Sequence, residues 1–203
     1  MDADPALEAA LGALDVLLVR HGSFTRTADA QGRIDEVADP DALTQARELA
    51  SRLAASGREL TLLSSPQQRA VATARILAER LDLPLYVDPD LAEIRIARHP
   101  DLDEGATGAL WAEVRARPQR AVLPGAETQA AAAARVHAAL RSAVRAAEGR
   151  LVVAMTHGGL IEALLQHLEQ RAGRTPQART LESLALHGLV VGAETAVVEL
   201  AGA

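Results

Sequence analysis

Residues able to handle a phosphate group stand at the ends of three apolar runs. Arg20 and His21 follow residues 15–19, Arg69 follows residues 60–63 and the turn Ser64-Ser65-Pro66, and His157 follows residues 151–155. Arginine suits phosphate because its planar fork donates two parallel hydrogen bonds and keeps its charge. Histidine accepts a phosphoryl group only through a neutral ring nitrogen, and like-charge repulsion from Arg20 and Arg69 is expected to lower the His21 pKa. His157 could donate to an equatorial oxygen of the transferring group, a task that suits its protonated form. Gly158 and Gly159 follow, where bare backbone N–H groups at a helix start favour an anion.

The elements that must position these groups alternate along the chain. The run 15–19 (DVLLV) predicts a buried strand ending in a functional loop. Polar, Gly-containing residues 23–38 read as a connecting loop. Asp39-Pro40-Asp41 then predicts a helix start, with an N-cap, a proline at the first helical position and an acid in the first turn, running to about Ala55 and closed by Gly57. A second strand over 60–63 leads into a helix to about Leu81. A third strand is expected over 83–87, and residues 97–123 form a less regular insertion with one helix around 108–117. A long alanine-rich helix over about 127–147 precedes the strand 151–155, and the tail holds strand-like runs at 183–187 and 195–200. Strands alternating with helices predict a single domain over residues 1–203, a three-layer α/β/α sandwich with a mostly parallel central sheet and a small cap insertion. In such sheets ligands collect at the carboxyl ends of strands, so distant segments can converge there.

Composition narrows the function. A chain of 203 residues with a net charge of -6 suits one domain that hides roughly 70% of its unfolded surface. Trp111, Tyr86 and Phe24 are the only aromatic residues, too few to stack single-stranded nucleic acid, and no basic stripe is available to a phosphate backbone. No nucleic-acid partner is therefore expected. Cysteine is absent, which excludes disulfides, thiolate metal sites and a cysteine nucleophile and fits the reducing cytoplasm. Lysine is absent too, so a phosphate-loop lysine and a Schiff base are excluded, and all 21 cationic side chains other than histidine are arginine. Residues 1–14 carry acids where a secretory signal would carry basic residues, and no segment is long and apolar enough to cross a bilayer, so no membrane partner is expected.

Five motifs in order, Leu18-Val19-Arg20-His21-Gly22, Ser64-Ser65-Pro66 with Arg69-Ala70 and Thr73-Ala74, Leu91-Ala92-Glu93-Ile94, Pro124-Gly125-Ala126-Glu127-Thr128 and Thr156-His157-Gly158-Gly159, resemble the phosphoglycerate-mutase-like branch of the histidine phosphatases. The resemblance runs from about Asp15 to Leu200. It implies a phosphomonoester hydrolase that passes through a phosphohistidine. His21 would be the nucleophile, Arg20, Arg69 and His157 the phosphate ligands, and Glu93 the general acid that later activates water. It implies neither metal nor organic cofactor, in keeping with the lack of an HExxH, an EF-hand loop or paired thiolates. Relatives often place Glu-Thr or Gln-Thr and then an Asn after the RHG triplet. Here Ser23 and Phe24 follow and asparagine is absent, so Ser23, Thr25 or Arg26 could replace the rim contacts and Phe24 could present an apolar wall to an organic substrate.

Other residues read more plainly. Glu127 is the substitute candidate for the acid, although first-turn helix stabilisation is its more natural task. His99, His137, His167 and His187 lack ligand spacing, and Asp101, Asp103 and Glu104 read as a solvated tip of the insertion. The expected partner is a small-molecule phosphomonoester. A phosphoglycerate-type mutase and a catalytically silent ligand-binding protein are the competing functions. Longer insertions mark the former and a lost His or Arg the latter; neither mark is present. A homodimer is compatible with the sequence.

Overall fold

The computed structural model describes residues 10–28, 34–96, 104–177, 179, 181–192, 194–198 and 200. Eight strands appear in chain order as β1 Val16–Arg20, β2 Phe24–Ala28, β3 Ile34–Ala38, β4 Leu60–Ser64, β5 Leu85–Val87, β6 Leu151–Thr156, β7 Leu186–Val191 and β8 Thr195–Val198. Among the described residues, five helices follow β1, namely α1 Pro40–Ala55, α2 Gln68–Leu81, α3 Glu104–Ala116, α4 Gln129–Ala147 and α5 Gly158–Arg171, and residues 10–13 before β1 are helical as well.

Strand β1 is apolar on both faces, as a strand covered by helices on each side must be. Its odd and even residues divide between two cores. Leu17 and Val19 join Leu62, Val153 and Met155 beneath α1 and α2, where Leu49, Leu53, Ala70 and Leu77 pack. Val16 and Leu18 join Val152 and Ala154 beneath α4 and α5, with Val136, Leu140, Leu160, Ile161 and Leu164. The result is three layers, helices on both faces of a six-stranded sheet of order β5-β4-β6-β1-β7-β8. Strands β5, β4, β6 and β1 are mutually parallel, while β7 and β8 are antiparallel additions at the β1 side.

The α/β class and the mostly parallel sheet agree with the sequence reading, and three details differ. Residues 24–28 and 34–38 form an antiparallel hairpin rather than a simple loop. Polar residues are many in both segments, and no apolar–polar alternation marks them in the sequence. Asp39 takes the position before α1 yet caps nothing with its side chain; its carboxylate accepts the Thr25 hydroxyl at 2.8 Å and so ties the hairpin to the helix. The first tail strand occupies 186–191 rather than 183–187, because residues 183–184 form a turn with Leu184 at φ 56°. In the insertion, α3 spans Glu104–Ala116; His99, Asp101 and Asp103, with the rest of 97–103, lie outside the described residues.

Registry places the functional ends side by side. Arg20 pairs with Thr156 and Ser64 with Met155, so β1, β4 and β6 finish at about the same level. The ladder then continues one step, with the His21 amide on the Thr156 carbonyl and the Ser65 amide on the Met155 carbonyl, each at 2.9 Å. Leu18 is fully buried at the centre of this arrangement. Leu18→Ala should lower unfolding free energy by about 2–5 kcal/mol, the usual cost of an unfilled leucine site. The check is a drop in denaturant midpoint at unchanged slope.

Candidate active site

At the end of β1 the chain must turn sharply beneath α1. A Cβ on Gly22 would stand 2.5 Å from the Ala42 Cβ, and neither atom can swing away, which explains a residue without a side chain here. The Gly22 amide donates to the Thr73 hydroxyl at 3.2 Å, and that hydroxyl donates to the Arg69 carbonyl at 2.8 Å. One threonine thus joins the His21 loop to the first turn of α2, the turn that carries Arg69.

The His21 ring is buried and held at both nitrogens. Nδ1 lies 2.8 Å from the Gly22 carbonyl, which can only accept, so Nδ1 bears the proton. Nε2 therefore presents a lone pair, and Arg69 Nε donates to it at 3.1 Å. The His157 ring stands edge-on to His21 with centroids 5.0 Å apart, and the Phe24 ring lies on another side at 5.5 Å. The Arg69 guanidinium also covers the Phe24 face at 5.2 Å, so Phe24 lies within this cluster. Ser23 offers its carbonyl to the Asp39 amide at 3.0 Å.

His157 is fully buried at the end of β6, immediately before α5. Its Nε2 lies 2.7 Å from the Ser65 hydroxyl, while its Nδ1 is buried with no hydrogen-bond partner. Burial lowers its pKa first, and the charges of Arg69, His21 and Arg20 lower it further, to about 2. In the free protein these dry and positive surroundings disfavour the protonated ring. A neutral ring can still donate from Nδ1 if Nε2 accepts a hydrogen bond from the Ser65 hydroxyl and Nδ1 carries the ring's one proton.

Arg20 lies across the opening turn of α5. A Cβ on Gly158 would stand 3.4 Å from its Cδ and Nε, so glycine leaves room for the arginine stem. One terminal nitrogen donates to the Leu181 carbonyl, while Nε is buried with no hydrogen-bond partner. Two buried nitrogens, Arg20 Nε and His157 Nδ1, are therefore unpaired in the cluster that holds His21 Nε2. Buried donors are nearly always paired, so both call for an acceptor.

Glu93 enters from a different direction. It follows the short 3-10 turn Pro89–Leu91, and its carboxylate accepts from the Ile94 amide at 2.9 Å and the Gly159 amide at 3.3 Å. The residue is half-buried, but its carboxyl surroundings are enclosed; burial raises its pKa, against hydrogen bonds and the Arg69 charge that lower it. Trp111 of α3 closes the same corner, since a Cβ on Gly159 would meet its ring at 2.6 Å and the Glu93 Oε1 at 2.9 Å. Glu127 behaves otherwise: burial alone would raise its carboxyl, but Arg135 and Arg95 hold it below the ordinary range, so it is a poor proton donor.

The structure thus draws His21, Arg20, Arg69, His157, Phe24, Glu93 and Gly158 into one region. Ser65, Gln67, Trp111 and the Leu181 carbonyl belong to it without having been chosen from the sequence. Ser65 stood inside a marked motif without a role of its own and Gln67 just after it; nothing in the sequence pointed to Leu181. His137 and His167 pair with each other on α4 and α5, with centroids 5.9 Å apart, and His137 Nε2 lies 2.8 Å from the Thr195 hydroxyl. Among the described residues, no group of three or more His, Asp or Glu is gathered as a metal site.

Comparison with known proteins agrees with this geometry. The family model for the histidine phosphatase superfamily (branch 1) matches residues 16–202. A metal-independent phosphoserine phosphatase of Arabidopsis thaliana is 30% identical over 164 residues, covering 77% of this chain and 69% of that protein. A mycobacterial glucosyl-3-phosphoglycerate phosphatase, solved with VO3, superposes with a TM-score of 0.70 at 26% identity, covering 91% of this chain and 97% of that one. A phosphoserine phosphatase from Entamoeba histolytica shares the fold, with a TM-score of 0.68 at 16% identity over 92% of this chain and 96% of that one.

The pKa of His157 can be tested directly. In the free protein its ring should stay neutral through the interval between about 2 and 6.5. Inorganic phosphate should raise that pKa, because a nearby dianion favours the cation. Nitrogen-15 spectra of the imidazoles, assigned with His157→Gln, report both; titration of the free ring near its ordinary value would contradict the burial argument.

Proposed function

We propose, for a chain that belongs to the histidine phosphatase superfamily (branch 1), that hydrolysis runs through a phosphoryl group carried on His21 Nε2. The chain is a metal-independent phosphatase acting on phosphomonoesters. The observation that supports the finer reading is the state of His21: Nδ1–H is committed to the Gly22 carbonyl, and Nε2 carries the lone pair, which accepts from Arg69 Nε. Arg69, the unpaired Arg20 Nε and the unpaired His157 Nδ1 lie around it as donors.

In the first step Nε2 attacks phosphorus in line, a P–N bond forms and the P–O bond to the leaving group breaks. Arg69 turns from Nε2 to the phosphoryl oxygens, which are the stronger acceptor because they are charged. Glu93, whose protonated form is favoured by burial, gives its proton to the departing alkoxide. In the second step water loses a proton to the Glu93 carboxylate and attacks phosphorus. The P–N bond breaks, inorganic phosphate leaves and neutral His21 returns. Activity should fall as pH rises through the raised Glu93 pKa, because only the protonated carboxyl serves the first step.

Small organic phosphomonoesters are the proposed substrates. The activities named for the relatives make phosphoserine and glucosyl-3-phosphoglycerate the compounds to test first. Phe24 and Trp111 would supply the apolar part of the wall that meets the organic group, and Ser23 the rim. We place the reaction in the cytoplasm, in one domain spanning the chain.

His21→Ala should reduce turnover by roughly a thousandfold or more, and acid-labile phosphate on the chain in rapid-quench experiments should disappear with it. Glu93→Gln should lose about 10²- to 10⁴-fold on an alkyl phosphate and much less on p-nitrophenyl phosphate, whose leaving group departs without a proton. Undiminished turnover by His21→Ala would remove the nucleophile from the mechanism.

A further inference from the structure

Proton donation demands a fixed carboxyl position, yet Glu93 lies on residues 92–96, which belong to neither helix nor strand. Backbone groups in such a stretch need partners from elsewhere. Three successive carbonyls before Glu93 are held by side chains. The Asp90 carbonyl accepts from Arg135 Nη1 at 2.5 Å, the Leu91 carbonyl from the Thr156 hydroxyl at 2.7 Å, and the Ala92 carbonyl from Arg135 Nη2 at 3.1 Å. Beyond Glu93, Arg95 gives its amide to Glu127 Oε2 at 3.2 Å and takes the Glu127 amide on its carbonyl at 2.8 Å. Arg135 and Glu127 are themselves joined by two hydrogen bonds, Nε to Oε1 at 2.9 Å and Nη2 to Oε2 at 2.8 Å, with side chains only 13% and 6% exposed.

We propose that the Arg135–Glu127 pair is a positioning device for the proton donor, gripping residues 90–95 on both sides of Glu93 so that its carboxyl is aimed at the leaving group. The proposal rests on the reading of Glu93 as general acid. Attachment alone does not require the pair, because Leu91 and Ile94 already anchor the stretch in the apolar core at 0% and 4% exposure. Apolar anchors do not set the rotation of the peptide units between them, and hydrogen bonds do. The unit joining Ala92 to Glu93 is held at both ends: its carbonyl by Arg135 and its amide by the Gln67 side chain at 3.1 Å. That plane fixes the direction in which the Glu93 side chain leaves the backbone.

Arg135→Gln should lose roughly 10- to 100-fold in kcat/KM on an alkyl phosphate, and roughly threefold at most on p-nitrophenyl phosphate, as expected when a donor is displaced by a fraction of a bond length. The basic limb of its pH profile should move to lower pH, because a carboxyl released from its enclosure loses the desolvation that raises it. Arg135→Lys should recover part of the loss, and Glu127→Gln, should Arg135→Gln fold poorly, should show the same substrate contrast. In a Glu93→Gln background the Arg135 substitution should add nothing. Equal losses on both substrates, or losses that multiply with Glu93→Gln, overturn the positioning role and leave the acid assignment standing. An alkyl-phosphate rate unchanged in Glu93→Gln alone overturns the acid assignment and this proposal with it.

Discussion

Positive charge confined in a dry corner is the constraint on which the site turns. Arg69 is 9% exposed, His21 5% and His157 not at all, with the Arg20 Nε buried among them. Guanidiniums cannot shed their charge, so their mutual repulsion and lost hydration oppose folding. The imidazoles limit that cost by staying uncharged: Nδ1–H of His21 is tied to a carbonyl, and His157 is held neutral by the field it would otherwise join. The same field suits a dianion, whose arrival supplies acceptors to both unpaired nitrogens. Function and instability therefore have one source, and apolar packing elsewhere must offset it.

That packing lies directly behind the charged groups. Strands β1 and β6 bury both faces, and each passes without interruption from apolar core to functional loop, Val19 to Arg20 and Met155 to Thr156. Positional precision follows from this continuity, because neither strand end can shift without disturbing cores on two faces of the sheet. Ladder hydrogen bonds extend one residue past each strand, so His21 and Ser65 inherit the registry of the sheet. The glycines at 22, 158 and 159 serve the same end by letting Ala42, Arg20 and Trp111 approach closely.

The sequence disclosed those parts of the fold whose cause is local. A continuous apolar run with β-branched residues announces β1 and β6, proline and acid at 40–41 announce α1, and Arg20-His21 and His157 stand just past apolar runs. The hairpin β2–β3 was hidden because FTRTA and IDEVA carry no hydrophobic period to detect. Asp39 looked like a cap by type and position, but a threonine fourteen residues earlier claims its carboxylate. Trp111 and the Leu181 carbonyl were illegible for a related reason: their roles arise only when separate segments meet. The depth at which His157 is buried is likewise set by the fold and not by residue type.

The role proposed for Glu93 would explain why one member of such a site comes from outside the sheet edge. In-line transfer requires nucleophile and leaving group on opposite sides of phosphorus. The ends of β1, β4 and β6 stand at one level and present His21, Ser65 and His157 from the same side. A proton donor built on any of them would share the side of the nucleophile. After β5, residues 89–95 pass the end of β6, where the Thr156 hydroxyl donates to the Leu91 carbonyl, and bring Glu93 to the Gly159 amide. They leave the regular ladder to do so. Side chains from β6, α2 and α4 then replace the hydrogen bonds a strand would have provided, and this explains why a buried ion pair distant in sequence attends a single carboxyl group.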